Sequence, residues 1–137
     1  MNTNFKLLFI FTSLFILITG CDGNIFDTDK DKDVQIRIEN SSEYTLENIR
    51  VSFPEEEVSY GTLDPADSSD YRKVKKAYRY AYIESEIDGQ KAVLQPIDYV
   101  GEDYLEAGTY TYQLFVYGES GQNEPIRYYL GFELKKN

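Results

Sequence analysis

Three groups of side chains in this sequence are reactive or adhesive enough to suggest a role. Carboxylates cluster at Glu55-Glu56-Glu57, at Glu84 and Glu86, and at Asp98, Glu102, Asp103 and Glu106. Tyrosines recur at Tyr78, Tyr80 and Tyr82, and the cations Arg72, Lys73, Lys75, Lys76 and Arg79 run into them. A single cysteine stands at Cys21, and there is no histidine. Absence of histidine removes the usual neutral-pH base, the Ser-His-Asp class and most zinc sites. An enzyme would have to work with carboxylates, tyrosines or lysines. Glycoside hydrolysis needs two carboxyl groups about 5 to 9 Å apart, one of them made a weaker acid by burial. None of the acidic stretches is set in apolar sequence. The chain is therefore expected to be non-enzymatic, with a carboxylate-dependent envelope hydrolase as the alternative.

A tyrosine joins a flat apolar ring to a polar tip, so a row of them suits stacking on sugar rings or burial against a protein partner. Cations beside the row would orient an anionic ligand. Tyr78, Tyr80, Tyr82, Arg79 and Lys76 are accordingly the candidate ligand-binding residues. Two plainer expectations stand against them. A small domain with no tryptophan must fill its centre with something, which favours these tyrosines as core. Lysines and arginines in a row also suit a sheet edge kept from aggregating. For metals, the Asp98 to Glu106 stretch is the best calcium candidate, since hard cations take carboxylate and carbonyl oxygens. It has no diagnostic spacing and reads as a solvated loop, so neither metal nor cofactor is expected.

The function of Cys21 is set by what precedes it. Lys6 introduces the apolar run from Leu7 to Ile18, and Ile18-Thr19-Gly20-Cys21 closes it. A short charged segment, an apolar core too short for a stable membrane span and small residues before the cut are marks of an export signal. With the cysteine immediately after, they read as a bacterial lipoprotein signal peptide over residues 1–20. Cys21 is then the lipidation site and the first residue of the mature chain. Each buried CH2 contributes about 0.8 kcal/mol, so two or three acyl chains, palmitate among them, hold a protein durably to a membrane. With Cys21 consumed, no disulfide and no thiolate site is possible within one mature chain.

Residues 21–33 continue as an acidic tether with almost nothing to bury. Asp27, Asp29, Asp31 and Asp33 alternate as in a calcium-binding EF-hand loop, but the sixth position is Lys32 rather than glycine and the twelfth is Ile38 rather than glutamate. The whole chain carries a net charge of −10, and loss of the signal, whose sole charged side chain is Lys6, leaves the mature chain more acidic still. That balance argues against nucleic acid, whose binding rests on clustered Lys and Arg neutralising phosphates. The expected partners are the membrane, through the anchor, and a carbohydrate or envelope protein.

From Val34 the apolar residues fall at every second position, as a strand with one buried face requires. Val34, Ile36 and Ile38 form one such set; Ile49, Val51 and Phe53 another; Tyr110, Tyr112, Leu114 and Val116 a third; Ile126, Tyr128, Leu130, Phe132 and Leu134 a fourth. Turn clusters at Asn40-Ser41-Ser42, Asp64-Pro65-Ala66-Asp67 and Gly118-Glu119-Ser120-Gly121 separate them at the spacing of an all-β sandwich, and no window favours an amphipathic helix. Asp88-Gly89 predicts a type I′ hairpin, because both central residues need positive φ. That register sets Ile87 opposite Gln90, Glu86 opposite Lys91, Ser85 opposite Ala92, Ile83 opposite Leu94 and Ala81 opposite Pro96. It predicts a cross-strand Glu86–Lys91 charge pair, and it puts Tyr78, Tyr80 and Tyr82 on one strand face, joined by Ile97 and Tyr99.

The segment Leu105-Glu106-Ala107-Gly108-Thr109-Tyr110-Thr111-Tyr112 resembles the tyrosine corner of immunoglobulin-like sandwiches. The resemblance implies that the Tyr110 hydroxyl bonds back to backbone a few residues upstream, and that Tyr112 stands where antibody domains have their second cysteine. The disulfide and core tryptophan of that family are missing. More broadly, the lipobox, Tyr60-Gly61-Thr62-Leu63, Pro96-Ile97-Asp98-Tyr99 and Gly108-Thr109-Tyr110-Thr111-Tyr112 resemble small uncharacterised lipoproteins of Bacteroidota-type envelopes. There an acidic run after the acylated cysteine resembles a surface-export signal, whereas Asp22 resembles the inner-membrane retention signal of enterobacteria. The expected whole is an immunoglobulin-like or fibronectin-like antiparallel β-sandwich over residues 34–137. Its expected place is the cell envelope, in the outer membrane or at the cell surface rather than the inner membrane. Its expected role is that of a binding or structural module, or an accessory subunit of an envelope complex with an uncovered sheet edge near Tyr129 and Gly131.

Overall fold

A computed structural model describes residues 33–97, 100–122 and 124–137. The signal peptide, Cys21 and the tether up to Lys32 lie outside them, as do Asp98 and Tyr99. Eight strands and no helix make up the described residues: β1 (Val34–Asn40), β2 (Leu46–Ser52), β3 (Glu57–Leu63), β4 (Arg72–Val74), β5 (Tyr82–Ile87), β6 (Gln90–Leu94), β7 (Gly108–Glu119) and β8 (Arg127–Lys136). They form two four-stranded sheets, β4-β1-β7-β8 and β3-β2-β5-β6, packed face to face as the alternating pattern requires.

The core is the inward set of both sheets. Ile36 and Ile38 of β1, Ile49 and Val51 of β2, Ile83 and Ile87 of β5, and Tyr112 and Leu114 of β7 are fully buried. Their β-branched and aromatic shapes fill the roughly 10 Å between sheets without a disulfide. The sandwich is all-β as expected, and its connectivity has its own order. β1 and β2 lie in opposite sheets, and β1 runs parallel to β7, with Val34 beside Gly108 and Asn40 beside Leu114. Antibody constant domains instead keep their first two strands side by side. The likeness to that group is one of architecture and of the corner. The Tyr110 hydroxyl donates to the Glu106 carbonyl at 2.9 Å.

The hairpin register is as predicted from Ile87–Gln90 to Ile83–Leu94, with Asp88 and Gly89 at φ of 50° and 74°. The ladder stops there, so Ala81 and Pro96 do not pair. Pro96 has no N–H to offer, and the chain on the other side turns away, with the Ala77 carbonyl accepting from Leu105 N–H at 2.8 Å. The charge pair also differs. Lys91 reaches diagonally to Glu84 at 2.5 Å, and Arg50 pairs with the same carboxylate from β2. Glu84 sits between two strands that each present a cation, whereas Glu86 faces solvent. A bulge does occur in this sheet, in β2 around Asn48, whose φ of 53° interrupts the register with both neighbours.

All eight strands share one polarity of ends. At the near end lie Asp33, the β2–β3 turn at Pro54-Glu55-Glu56, the segment 75–81, the described residues 95–97 and 100–107, and the C-terminus. At the far end lie 41–45, 64–71, the Asp88-Gly89 turn and the β7–β8 connection. The far end is stitched by Asn40, a buried polar residue that closes β1. Its amide donates to the carbonyls of Tyr44 at 2.7 Å and Leu63 at 3.0 Å, and its oxygen accepts from Ser42 N–H and Oγ. Tyr128 adds a clasp between sheets, donating to Asp88 at 2.8 Å while its ring meets Tyr44 edge-on.

Candidate functional site: a tyrosine-walled groove

The three candidate tyrosines do not share a strand. β5 begins at Tyr82, so Tyr78 and Tyr80 belong to the segment leading into it, where Ala77 and Ala81 take the buried positions. All three tyrosines are half-buried, neither core nor freely exposed stripe. They form the wall of an open groove of about 410 Å³ completed by Ser52, Phe53, Pro54 and Ala81. A second hollow of about 370 Å³ continues beyond Tyr80, lined by Leu94, Gln95, Pro96, Ile97 and Phe132. Tyr80 is the ridge between them.

Several wall residues have named supports. Tyr112 is wholly buried, stacks against Phe53, meets Phe132 edge-on and donates its hydroxyl to the Tyr78 carbonyl at 2.7 Å. The Tyr78 ring stacks on Tyr104 with centroids 4.7 Å apart. Tyr82 donates to Glu84 at 3.3 Å. The core thus braces the groove at Phe53 and at the Tyr78 backbone.

The cations belong elsewhere. Lys76 pairs with Glu55 at 2.7 Å and lies over the Tyr104 ring at 5.2 Å; Arg79 is exposed and does not line the groove. The Lys76 hydrogen bond holds the Glu55 carboxyl below its usual value, and the same bond raises the lysine. The neighbouring cations follow the plainer expectation. β4 is an edge strand, Lys73 pairs with Asp33, and Lys75 N–H donates to Glu56 at 2.7 Å. The structure brings the three tyrosines to one groove, though not on one strand face, and turns the two basic residues aside. Sequence reasoning read Phe53 only as one of an alternating core set and missed that Phe53 and Pro54 close the groove from the β2–β3 turn, and that Tyr104 stacks behind Tyr78.

Carboxylate chemistry finds no support in the geometry. Glu84 is held below the ordinary carboxylate range first by its hydrogen bond with Lys91 and then by Arg50, and Glu55 is also lowered. A general acid needs the opposite shift. Glu102, Asp103 and Glu106 do not converge with other ligands, and no cluster of three acidic or thiol groups occurs among the described residues.

A different surface answers to the assembly expectation. β8 is an edge strand, and Tyr129 and Tyr117 are 44% and 59% exposed on the outer face of its sheet. Gly131 makes room for the Tyr117 ring, since a Cβ there would run into it.

No protein-family model matches the chain, and no curated protein matches it. Among solved structures it is similar to the NMR structure of a protein from Eubacterium rectale, at 18% identity over 76% of this chain and 91% of that one, with a TM-score of 0.49.

Proposed function

We propose that the protein is a lipid-anchored lipoprotein of the cell envelope, held through Cys21 at the outer membrane or cell surface, and that its sandwich is a non-enzymatic binding module. The observation that carries the binding role is the open, largely apolar groove walled by Tyr78, Tyr80 and Tyr82 and backed by a rigid core. Tyrosine faces with hydroxyls at their rims suit the apolar face and equatorial hydroxyls of a sugar ring. Because Lys76 is already paired with Glu55 and Arg79 stands off the groove, a neutral glycan fits better than an anionic one. The test is binding of neutral polysaccharides to the unsubstituted chain and to Tyr80→Ala, followed by tyrosine ring resonances in NMR. Shifts confined to Tyr78, Tyr80 and Tyr82, abolished in Tyr80→Ala, are expected; unchanged ring resonances with every glycan would refute the carbohydrate reading.

The exposed aromatic face beside the β8 edge favours a second reading, an accessory subunit of an envelope complex. Photo-cross-linking from Tyr129 in cells tests it. A discrete adduct is expected on that reading, and its absence would remove it.

A further inference from the structure

Four strands end the two sheets, β4 and β8 in one, β3 and β6 in the other. A sheet edge is a row of unpaired N–H and C=O groups that invites another strand, and folded proteins blunt it with brevity, bulges, proline or lysine. Three of these edges are blunted. β4 has three residues, two of them Arg72 and Lys73. β3 meets β2 with register shifts and carries Gly61 at a φ of 76°. β6 has five residues, with Lys91 near its start and Pro96 just past its end. β8 is different: it has ten residues and pairs with β7 from end to end without a shift. Its lysines, Lys135 and Lys136, stand at one extremity, and its middle is Tyr128-Tyr129-Leu130-Gly131-Phe132.

The direction of its free groups follows from the pairing. Asn137 N–H donates to the Thr109 carbonyl at 3.0 Å, and the ladder runs on from there with Lys136 beside Tyr110. Bonded and non-bonded positions alternate in an antiparallel pair, so the odd-numbered residues of β8 bond to β7. The N–H and C=O of Tyr128, Leu130, Phe132 and Leu134 point away from the sheet. A second β8 can pair with them antiparallel about a two-fold axis, and the exposed outer side chains then select the register. Centred on Leu130, Arg127 of each copy faces Glu133 of the other, and Tyr129 faces Gly131, over which the Tyr117 ring already lies. Two opposite-charge pairs and two aromatic contacts result. Ile126, 43% exposed just before the strand, comes opposite Leu134. Centred on Gly131 instead, Arg127 faces Lys135 and the charges repel; centred on Phe132, no ion pair forms.

We propose that two copies of this chain pair edge to edge through β8, in the register centred on Leu130. The two four-stranded sheets become one sheet of eight strands, closed by about six backbone hydrogen bonds. The same patch serves both copies, as a two-fold interface requires. The proposal takes the surface of the accessory-subunit reading and names its occupant as a second copy; neither the groove beside Tyr80 nor the anchor at Cys21 enters it.

The chain from residue 21, with Cys21→Ser to remove its thiol, is followed by sedimentation equilibrium, and a concentration-dependent dimer is expected. Arg127→Glu sets carboxylates against each other at both ends of the seam and should raise the dissociation constant by about ten-fold. Adding Glu133→Arg to it should restore the dimer. Both positions are exposed, so the fold tolerates either change. Disulfides read the register. Arg127 and Glu133 fall at non-bonded positions of the seam, where Cα atoms lie about 4.5 Å apart, within disulfide reach. A mixture of the Arg127→Cys and Glu133→Cys chains is expected to link on mild oxidation. Either chain alone should stay unlinked, because its two cysteines lie about 20 Å apart in the dimer. A monomer at every concentration, or a dimer that Arg127→Glu leaves unchanged and the mixed cysteines do not link, overturns the pairing. An isolated chain that stays monomeric while Tyr129 photo-cross-links to another protein in cells refutes the second copy and keeps the accessory-subunit reading.

Discussion

Replacing Tyr112 by phenylalanine removes one oxygen from the middle of the sandwich. The residue is wholly buried, and its hydroxyl donates to the Tyr78 carbonyl at 2.7 Å. A typical internal hydrogen bond contributes about 0.5 to 1.5 kcal/mol net, and a buried acceptor left unmatched costs about 1 to 3 kcal/mol. The donor side is wholly buried and the acceptor belongs to half-buried Tyr78, so the loss falls between these limits. The expected loss is about 2 kcal/mol. For roughly 100 ordered residues the entropy of unfolding is about 0.2 kcal/mol per kelvin, which converts that loss into a fall in Tm of about 9 °C. Tyr110→Phe is the matched control. Its hydroxyl also bonds to a carbonyl, but that of Glu106, an exposed residue where water can substitute, so a loss below about 1 kcal/mol is expected. Urea unfolding followed by far-UV circular dichroism measures both. If Tyr112→Phe costs no more than Tyr110→Phe, the claim that the core braces the groove through this bond is wrong.

Asn40→Ala removes two donors and one acceptor from a fully buried position; a loss of about 3 kcal/mol in urea unfolding is expected, and less than about 1 kcal/mol would show that water replaces the amide. Glu84→Gln breaks the contacts to Arg50 and Lys91. Because the carboxyl is held below its usual 4.5 in the folded protein, its contribution is present above that value and is lost as the pH falls through the lowered one. Tm of the substituted protein should lie below that of the parent at pH 7 and converge with it below pH 4.5; an offset that persists into acid would show that the ion pairs are not its cause.

What the sequence disclosed follows from the range of each signal. Period-two alternation in β1, β2, β7 and β8 reports a face, and the inward sets named from it are buried or packed on the core, except Ile126, which lies just before β8 and is exposed. The Asp88-Gly89 turn fixes its neighbours because two residues determine the twist of the hairpin. Beyond a turn, these signals stop. Glu84 rather than Glu86 receives Lys91 because Arg50 arrives from a third strand, which the hairpin cannot disclose. Tyr78 and Tyr80 alternate as a strand would, yet Pro96 ends the ladder before them and the segment turns to pack on Tyr104. Asn40 looks like a turn residue from its neighbours Ser41 and Ser42, and only the approach of Leu63 gives its amide a buried partner. The candidate groove was legible as a set of tyrosines; its depth, its other walls and the diversion of Lys76 were tertiary facts.

The parallel pairing of β1 with β7 also governs when this protein can fold. Arg37 and Thr111, hydrogen-bonded across that pair, are 74 residues apart, and β1 has no sequence-adjacent partner in its sheet. Before β7 is made, β1, the first described strand, has only the three-residue β4 to pair with in its own sheet. Such non-local closure places the chain among slow folders, because loop entropy is spent before the contacts return it. A nascent or truncated chain ending before Gly108 lacks the centre of one sheet and cannot adopt the native fold. On the proposed reading of an exported lipoprotein, this topology would delay folding until β7 had crossed the membrane.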